Sequence, residues 1–314
     1  MKIISRAEID QILPNLDPIP AIEQGFAEYS AGKCNIPPIG ELIMDKGEVH
    51  IKYGCINGEE YYVVKLASGF YDNPKIGLAP SNGMMILFSQ STGEVVAVLH
   101  DECVLTDVRT AIAGAIAAKY LAPKNVTAIG IVGTGVQARM QAEYLKSVTD
   151  CRDIIVWGRS TEKLLEYKND MREAGFSVAA TKDMAELCAN ANLIITTTPA
   201  LEPLIKAEYI KPGTHITAMG SDTVEKQELD SEILAMADLV VSDSIDQSQT
   251  RGEIHKAREA GKITDANLLE LGNVISNGTG RTSDDQITIA DLTGVAVQDI
   301  KIAEAVYLAS LKTS

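Results

Sequence analysis

The chain has 314 residues, which is long enough for two domains that each bury a hydrophobic core. Hydrophobic residues make up 46% of it and charged residues 23%, proportions typical of a folded globular protein, and no stretch is long and apolar enough to predict a membrane span. The formal net charge of −15 argues against a surface that binds nucleic acid or anionic membranes.

Cysteine and histidine usage gives no sign of a metal centre. The histidines are dispersed, and the cysteines are odd in number and never form a CxxC pair: Cys34, Cys55, Cys103, Cys151 and Cys188. This pattern predicts free thiols in a reducing compartment. The first residues, MKIISRAEID, carry charges and a helix-cap signal unlike those of a signal peptide, so the expected location is the cytoplasm.

The N-terminal third predicts two helices followed by an antiparallel sheet. Ser5 is expected to cap a helix over residues 6–13, and Pro18 and Pro20 precede a second helix over 21–32. Short β-rich runs between NG, DN and TG turn signals predict strands at 48–53, 61–66, 83–89 and 94–99. An alanine-rich helix over 106–121, ended by Pro123, is interpreted as the connection between two domains.

Beyond this helix, strand and helix patterns alternate. The predicted strands cover residues 126–132, 153–157, 177–180, 193–197, 215–218 and 239–241, and the predicted helices cover 137–146, 162–174, 184–189 and, at the end of the chain, 294–311. Such alternation predicts a Rossmann-type doubly wound parallel sheet. The expected fold class is therefore α/β, with a second α+β domain that contains antiparallel strands.

A glycine-rich turn, Gly133-x-Gly135-x-x-Ala138, joins the strand at 126–132 to the helix at 137–146. This strand, turn and helix match what a dinucleotide pyrophosphate needs: a tight turn, close backbone approach, close packing of helix on strand, and free N–H groups at the helix N-terminus. The segment predicts a nucleotide site that includes Thr134, Val136 and Gln137.

The end of the second strand of such a sheet normally selects the dinucleotide through an acidic residue that binds the adenosine ribose. Here the residues are Gly158, Arg159 and Ser160, with no acid, so a 2′-phosphate is somewhat favoured and NADP is preferred over NAD. If Arg159 instead stacks on adenine or is a solvated turn residue, NAD is equally usable. Further cofactor contacts are expected at the ends of later strands, at Thr197, Thr198, Gly220 and Ser221.

Three charged residues are candidates for substrate chemistry. Lys65 lies within an apolar strand, so it either occupies an exposed sheet face or points into a pocket that binds an anion. Arg109 lies among alanine and isoleucine, where it either binds a ligand or pairs with Asp101 or Asp107. Asp222 follows the strand at 215–218 and is a candidate proton donor, with a helix cap as the alternative.

Over essentially its whole length the chain resembles the ornithine cyclodeaminase and mu-crystallin family. Five segments in the family's order carry the resemblance: KLASGFYDNP around Lys65, LTDVRTAIAGAIAAKYLA with Arg109, GTGVQAR, GSDTVEKQELD with Asp222, and GRTSDDQIT. The resemblance implies a dinucleotide domain over residues 119–294. It also implies a substrate-binding and dimerisation domain over 1–118 with 295–314, and a homodimer that covers its strand edges.

The resemblance also assigns roles to the candidate residues. Lys65 and Arg109 match positions that hold the α-carboxylate of an amino or imino acid, and Asp222 matches the acid that serves proton transfer at the substrate nitrogen. A guanidinium grips a carboxylate through two bonds, which agrees with this assignment. Holding the carboxylate would place substrate C2 against the nicotinamide, where hydride is transferred.

The chain departs from the family near residue 40, where Gly40 and Glu41 stand in place of a common arginine. A third carboxylate contact is therefore absent or comes from elsewhere, with Lys52 as a candidate. The change weakens an ornithine-specific interpretation. For a substrate with a second carboxylate, Lys52 or the pair Ser81 and Asn82 are candidate partners.

Three functions remain open from the sequence. The preferred one is an NAD(P)H-dependent reductase that converts a 2-imino acid, such as pyrroline-2-carboxylate or iminosuccinate, to the L-amino acid. An ornithine cyclodeaminase, which keeps NAD bound and releases ammonia and proline, is the second. A protein that binds nucleotide and a small ligand without turnover is the third.

Overall fold

The structure is a computed structural model that describes residues 1–70 and 72–312. Its helices are α1 (Arg6–Ile12), α2 (Ile19–Ser30), α3 (Val104–Leu121), α4 (Val136–Tyr144), α5 (Thr161–Glu173), α6 (Met184–Asn190), α7 (Ser231–Met236), α8 (Gly252–Glu259), α9 (Leu271–Asn277) and α10 (Ala296–Lys312). Its strands are β1 (Lys2–Ser5), β2 (Cys34–Asn35), β3 (Gly40–Met44), β4 (Gly47–Ile56), β5 (Tyr61–Gly69), β6 (Ser81–Ser89), β7 (Val95–His100), β8 (Ile129–Val132), β9 (Asp153–Trp157), β10 (Ser177–Thr181), β11 (Leu193–Thr196), β12 (His215–Ala218), β13 (Leu239–Ser242), β14 (Leu268–Glu270) and β15 (Thr288–Asp291).

The chain divides into two compact units. The first unit combines Met1–Thr110 with Val295–Ser314, and the second is Ala111–Gly294. The first division falls within α3, so the predicted connecting helix is shared between the units. Residues 71, 313 and 314 of the predicted segments lie outside the described residues.

The first unit is built on a mixed sheet with the strand order β1-β7-β6-β5-β4-β2, in which β3 also pairs with β4. Strands β4 to β7 are antiparallel neighbours, as predicted. Strand β1, which the sequence analysis missed, pairs with β7 in parallel, so the sheet is not purely antiparallel. Helix α10 is buried along most of its length and contacts α2, β4 and β5.

The second unit is a parallel sheet with the strand order β10-β9-β8-β11-β12-β15-β13-β14. The order reverses beside β8, and this reversal is where doubly wound sheets bind ligands, at the carboxyl ends of the strands. Two apolar clusters cover the sheet: one centres on Ile194, Ile216 and Ile289, and the other on Ile131 and Val156. The predicted fold class is confirmed.

Several element predictions for the second unit were wrong in detail. The strand predicted at residues 126–132 covers only Ile129–Val132. Strand β15 lies inside the sheet between β12 and β13 but was not predicted. Among the described residues, no helix is both long and apolar enough to cross a bilayer.

Candidate functional site

The glycine-rich turn follows β8 and leads into α4, as predicted. Gly133 has a φ of 122°, and a Cβ at this position would lie 2.6 Å from Thr197 Oγ1. Gly133 donates its N–H to Trp157 O at 2.9 Å, while Thr197 N donates to Val132 O at 2.9 Å. Glycine is therefore required at this position by the protein itself, because another residue would strain the backbone and collide with the neighbouring strand end.

Gly135, in contrast, is not required by the packing of the protein itself. Its φ of −83° suits any residue, and a Cβ there would meet no protein atom within 4 Å. Gly135 is the N-cap of α4, and no side chain among the described residues caps that helix start. Open space in front of uncapped N–H groups is the arrangement that binds a phosphate group.

A cavity of about 630 Å³ opens at this turn. Residues predicted for cofactor binding that line it are Gly133, Thr134, Gly135, Gly158, Arg159, Ser160, Thr197 and Thr198. Trp157, Lys163, Pro199, Ala200, Leu201 and Leu204 complete the lining and were not predicted. The remaining predicted contacts, Val136, Gln137, Ala138, Gly220 and Ser221, lie outside the described lining of this cavity.

The mouth of the cavity at β9 is positively charged. Arg159 and Lys163 are both exposed, and none of the lining residues in the described part of the chain is acidic. Ser160 caps α5, because its Oγ accepts the Lys163 N–H at 3.3 Å. Lys163 was missed because in the sequence it looks like an ordinary surface residue in the first turn of a helix.

Asp222 lies in the loop that follows β12. Its Oδ1 accepts from Lys226 Nζ at 2.7 Å, and its carbonyl accepts from Arg251 Nη1 at 3.3 Å. The Ser221 hydroxyl donates to Lys226 O at 2.6 Å and so closes the loop. The Asp222 side chain is 43% exposed, so solvent reaches its carboxylate group.

The first unit contains a buried cationic cluster. Lys65 on β5 lies directly opposite Lys52 on β4, Arg109 comes from α3, and Asp299 comes from α10. Lys65 Nζ donates to Asp299 Oδ1 at 3.1 Å, and Arg109 Nε lies 3.0 Å from the same oxygen. Arg109 Nη1 also donates to Gln298 Oε1 at 3.1 Å.

Several polar atoms of this cluster are buried without a hydrogen-bond partner. These atoms are Asp299 Oδ2, Gln298 Nε2, Asp101 Oδ1 and Arg109 Nε, which is near Asp299 but not aligned with it. Buried polar groups in a protein are normally paired. The two unpaired donors, Gln298 Nε2 and Arg109 Nε, are suited to an anionic group, whereas the two unpaired carboxylate oxygens need a donor.

The electrostatics of the cluster shift its protonation. Burial and the neighbouring Arg109 lower the pKa of Lys65 to about 8, although Asp299 opposes the shift. Burial alone would raise the pKa of Asp299, but Arg109, Lys65 and Lys52 hold it below its ordinary value. Lys65 can therefore gain or lose a proton near neutral pH, while Asp299 stays ionised.

The structure corrects two suggestions about this unit. The residue beside Arg109 is Asp299, whereas Asp101 accepts the Leu105 N–H at 2.9 Å at the start of α3. Ser81 pairs with Gly69, so it shares the sheet face of Lys65 but lies exposed at the strand end. Asn82 occupies the opposite face, since it pairs with Ser68, and it is not brought together with Lys65.

Residues near position 40 do not replace the missing arginine. Glu41 Oε1 lies 3.4 Å from His50 Nδ1, and Gly40 pairs with Ile51. Lys52 is buried, and its charge acts on Asp299, so it belongs to the cationic cluster. Within the described part of the chain, no three His, Cys, Asp or Glu side chains are grouped closely enough to hold a metal ion.

Comparison with known proteins finds a match to the family model described as ornithine cyclodeaminase/mu-crystallin family over residues 1–313. An uncharacterized cyclodeaminase of Sinorhizobium fredii is 43% identical over 314 residues, which cover 98% of this chain and 95% of that protein.

Three solved structures each superpose on 100% of this chain. An archaeal alanine dehydrogenase dimer with bound NAD is 34% identical, with a TM-score of 0.91 over 97% of its chain. A pyrroline-2-carboxylate reductase of Thermococcus litoralis with NADH and L-proline is 26% identical, with a TM-score of 0.92 over 98% of its chain. The iminosuccinate reductase of Paracoccus denitrificans with NAD+ is 30% identical, with a TM-score of 0.88 over 97% of its chain.

Replacing Asp299 tests the electrostatics of the cluster. Asp299→Asn leaves two buried cations without their shared carboxylate, so we expect a loss of about 3–5 kcal/mol in the free energy of unfolding at pH 6. The pKa of Lys65 should then fall below its present value of about 8. A neutral Lys65 costs less free energy to bury than a charged one. The decrease in the free energy of unfolding caused by Asp299→Asn should therefore become smaller as the pH rises towards 8. Denaturant unfolding at several pH values measures both effects.

Lys65→Met provides the matched background for this measurement. In that background Asp299→Asn should still destabilise the protein, because Arg109 remains buried beside it. The destabilisation should no longer vary between pH 6 and 8, since the titrating lysine is gone. An equal pH dependence in both backgrounds would show that Lys65 is not the titrating group.

Proposed function

The chain belongs to the ornithine cyclodeaminase/mu-crystallin family, and we propose that it is an NAD(P)H-dependent reductase that converts a 2-imino acid to the L-amino acid. The observation that carries the proposal is the buried cluster of Lys65, Arg109 and Lys52, in which three cationic side chains lie near two buried carboxyl groups, Asp299 and Asp101. A small acid would supply the missing negative charge.

The nucleotide is assigned to the cavity at the glycine-rich turn. Gly135 leaves space for its pyrophosphate at the N-terminus of α4, and Thr197 and Thr198 line the same cavity. When bound, the nicotinamide supplies the hydride that is transferred to substrate C2. The related dehydrogenase and reductases described above bind NAD, NADH or NAD+.

Arg109 and Lys65 are proposed to hold the substrate carboxylate. The Arg109 guanidinium offers donors that match a carboxylate, and its Nε has no hydrogen-bond partner at present. Lys65 supplies a second charge, and an incoming carboxylate would raise its pKa above the present value of about 8. Binding the acid would thus give Arg109 Nε a hydrogen-bond partner, whereas the unpaired oxygens of Asp299 and Asp101 would need a donor.

Reduction of a C=N bond needs a proton at nitrogen as well as the hydride at carbon. Asp222 is proposed to pass this proton to the substrate nitrogen after taking it from solvent, since its side chain is 43% exposed and Lys226 orients it at 2.7 Å. Lys65 is the second candidate, because a pKa of about 8 allows proton exchange at neutral pH.

NADPH is proposed as the preferred reductant. Arg159 and Lys163 place two positive charges at the cavity wall beside β9, and Ser160 adds a hydroxyl. The acidic residue that would bind a ribose 2′-hydroxyl is missing there, whereas a 2′-phosphate would find cationic partners. The solved relatives contain NAD forms, so a preference for NADPH would distinguish this chain from them.

A homodimer through the first unit is also proposed. Leu42, Ile43 and Met44 on β3 and Ile76 and Leu78 in the β5–β6 connection are exposed large apolar side chains. Exposed apolar patches commonly mark association surfaces, and the archaeal alanine dehydrogenase is a dimer.

Light scattering should give the mass of two chains for the wild-type protein, and the mass of one chain for the variant with Leu42→Glu and Ile43→Lys. A monomeric wild-type protein would contradict the proposal.

The activity is tested with a substrate panel. Pyrroline-2-carboxylate, oxaloacetate plus ammonia and pyruvate plus ammonia are each mixed with NADH or NADPH, and the loss of nicotinamide absorbance is followed. At least one imine should be reduced, with NADPH giving the lower KM. Ammonia release from L-ornithine without net change in nucleotide would instead identify a cyclodeaminase. Nucleotide binding without either reaction would identify a binding protein.

Three variants serve as controls for this assay. Arg109→Met should lower kcat/KM by about 100-fold, because it removes a charged, hydrogen-bonded carboxylate contact.

Asp222→Asn should lower kcat by about 100-fold or more and leave nucleotide affinity unchanged. Arg159→Ala should weaken NADPH binding more than NADH binding. Equal weakening of both nucleotides would remove the basis for preferring NADP.

A further inference from the structure

Glu228 is a fully buried acidic side chain in the second unit, and in the sequence it lies between Asp222 and α7. Burial raises the pKa of its carboxyl group to about 7, although hydrogen bonds from Thr196, Thr198 and Gly220 oppose the shift. Its Oε1 accepts from Thr198 N at 2.6 Å and from Thr198 Oγ1 at 2.7 Å. Its Oε2 accepts from Thr196 Oγ1 at 2.6 Å and from Gly220 N at 2.9 Å. One side chain thus ties the end of β11 to the segment that follows β12.

The two tied segments carry different parts of the proposed chemistry. Thr198 lines the nucleotide cavity, whereas Gly220 lies two residues before Asp222. The two segments approach each other closely at Gly220, where a Cβ would lie 2.2 Å from Thr198 O and 2.5 Å from Glu228 Oε2. The carboxylate therefore fixes the distance between the cavity wall and the loop of the proposed proton donor.

The backbone of Glu228 is held as firmly as its side chain. Its N–H donates to Glu253 Oε1 at 2.7 Å, and the next N–H, from Leu229, donates to Glu253 Oε2 at 3.1 Å. The Glu228 carbonyl accepts from Leu204 N at 2.8 Å and from Ile205 N at 3.1 Å. Leu204 also lines the nucleotide cavity, so Glu228 contacts that wall from both its side chain and its backbone.

We propose that Glu228 is a positioning residue that aligns the nucleotide cavity with the Asp222 loop, an inference that rests on the proposed function. Each carboxylate oxygen accepts one backbone N–H, from Thr198 and from Gly220. A carboxamide has only one accepting oxygen, so glutamine at this position would leave one of these N–H groups facing an NH₂ group. The position requires a carboxylate, and not merely a polar side chain of the same shape.

The decisive readout is nucleotide affinity, which is independent of the choice of substrate. NADH and NADPH are titrated into wild-type protein and into Glu228→Gln at 25 °C, and nicotinamide fluorescence is followed. Two donors that face each other would push Thr198 or Gly220 out of position. We expect this displacement to raise the nucleotide Kd of Glu228→Gln about tenfold. With a substrate from the panel, kcat should fall about tenfold as well, because the Asp222 loop moves with Gly220.

A purely structural role would lower the melting temperature but leave Kd and kcat of the folded protein unchanged, and that result would overturn the inference. Asp243→Asn is the matched control, since Asp243 is equally buried and accepts the backbone N–H groups of Thr293 and Gly294. It should lower the melting temperature without raising the nucleotide Kd. An equal rise in both variants would also overturn the inference.

Thr196→Val keeps the test decisive if Glu228→Gln does not fold. Thr196 is buried outside the cavity lining, and the change removes only the hydroxyl that donates to Glu228 Oε2. We expect the nucleotide Kd to rise about threefold, and a change of less than twofold would contradict the inference. Wild-type protein that binds neither nucleotide would instead overturn the proposed function.

Discussion

Two buried cations share one carboxylate oxygen in this protein, and that arrangement sets the chemistry of the first unit. Lys65 and Arg109 both approach Asp299 Oδ1 at about 3 Å, and Lys52 lies across the sheet from Lys65. Because buried charge is expensive, a cluster with excess positive charge and unpaired donors is costly unless an anion completes it. Under the proposed function, the binding of a small acid recovers the stability that this cluster costs.

The second unit likewise leaves space and positive charge for its proposed nucleotide. Gly133 is dictated by the protein backbone, whereas Gly135 leaves a space that no protein atom fills. The N-terminus of α4, which no side chain caps among the described residues, and the charges of Arg159 and Lys163 lie around one cavity. Glu228 then joins this cavity to the loop of Asp222 through hydrogen bonds that only a carboxylate can accept.

The features of the molecule that depend on a local sequence pattern could be predicted from the sequence. The glycine turn, Lys65 and Arg109 could be found because a strand-turn-helix signal or a charge within an apolar run is visible over a few residues. Asp299 could not be found, since it is 234 residues from Lys65 and its helix shows only an ordinary polar position. The sheet face of Asn82 could not be predicted, because it depends on strand register, which composition does not determine.

The central claim is that Lys65 and Arg109 form a carboxylate site, and calorimetry tests it most directly. Pyrrole-2-carboxylate and pyruvate carry a carboxylate but no amine that titrates near pH 8, and pyrrole lacks the carboxylate. At pH 8, in two buffers of different ionisation enthalpy, binding of at least one acid should take up about half a proton, because it raises the pKa of Lys65 from about 8. Pyrrole should not bind, and Arg109→Met should abolish binding of the acid. Binding without proton uptake, or binding that survives Arg109→Met unchanged, would contradict the account.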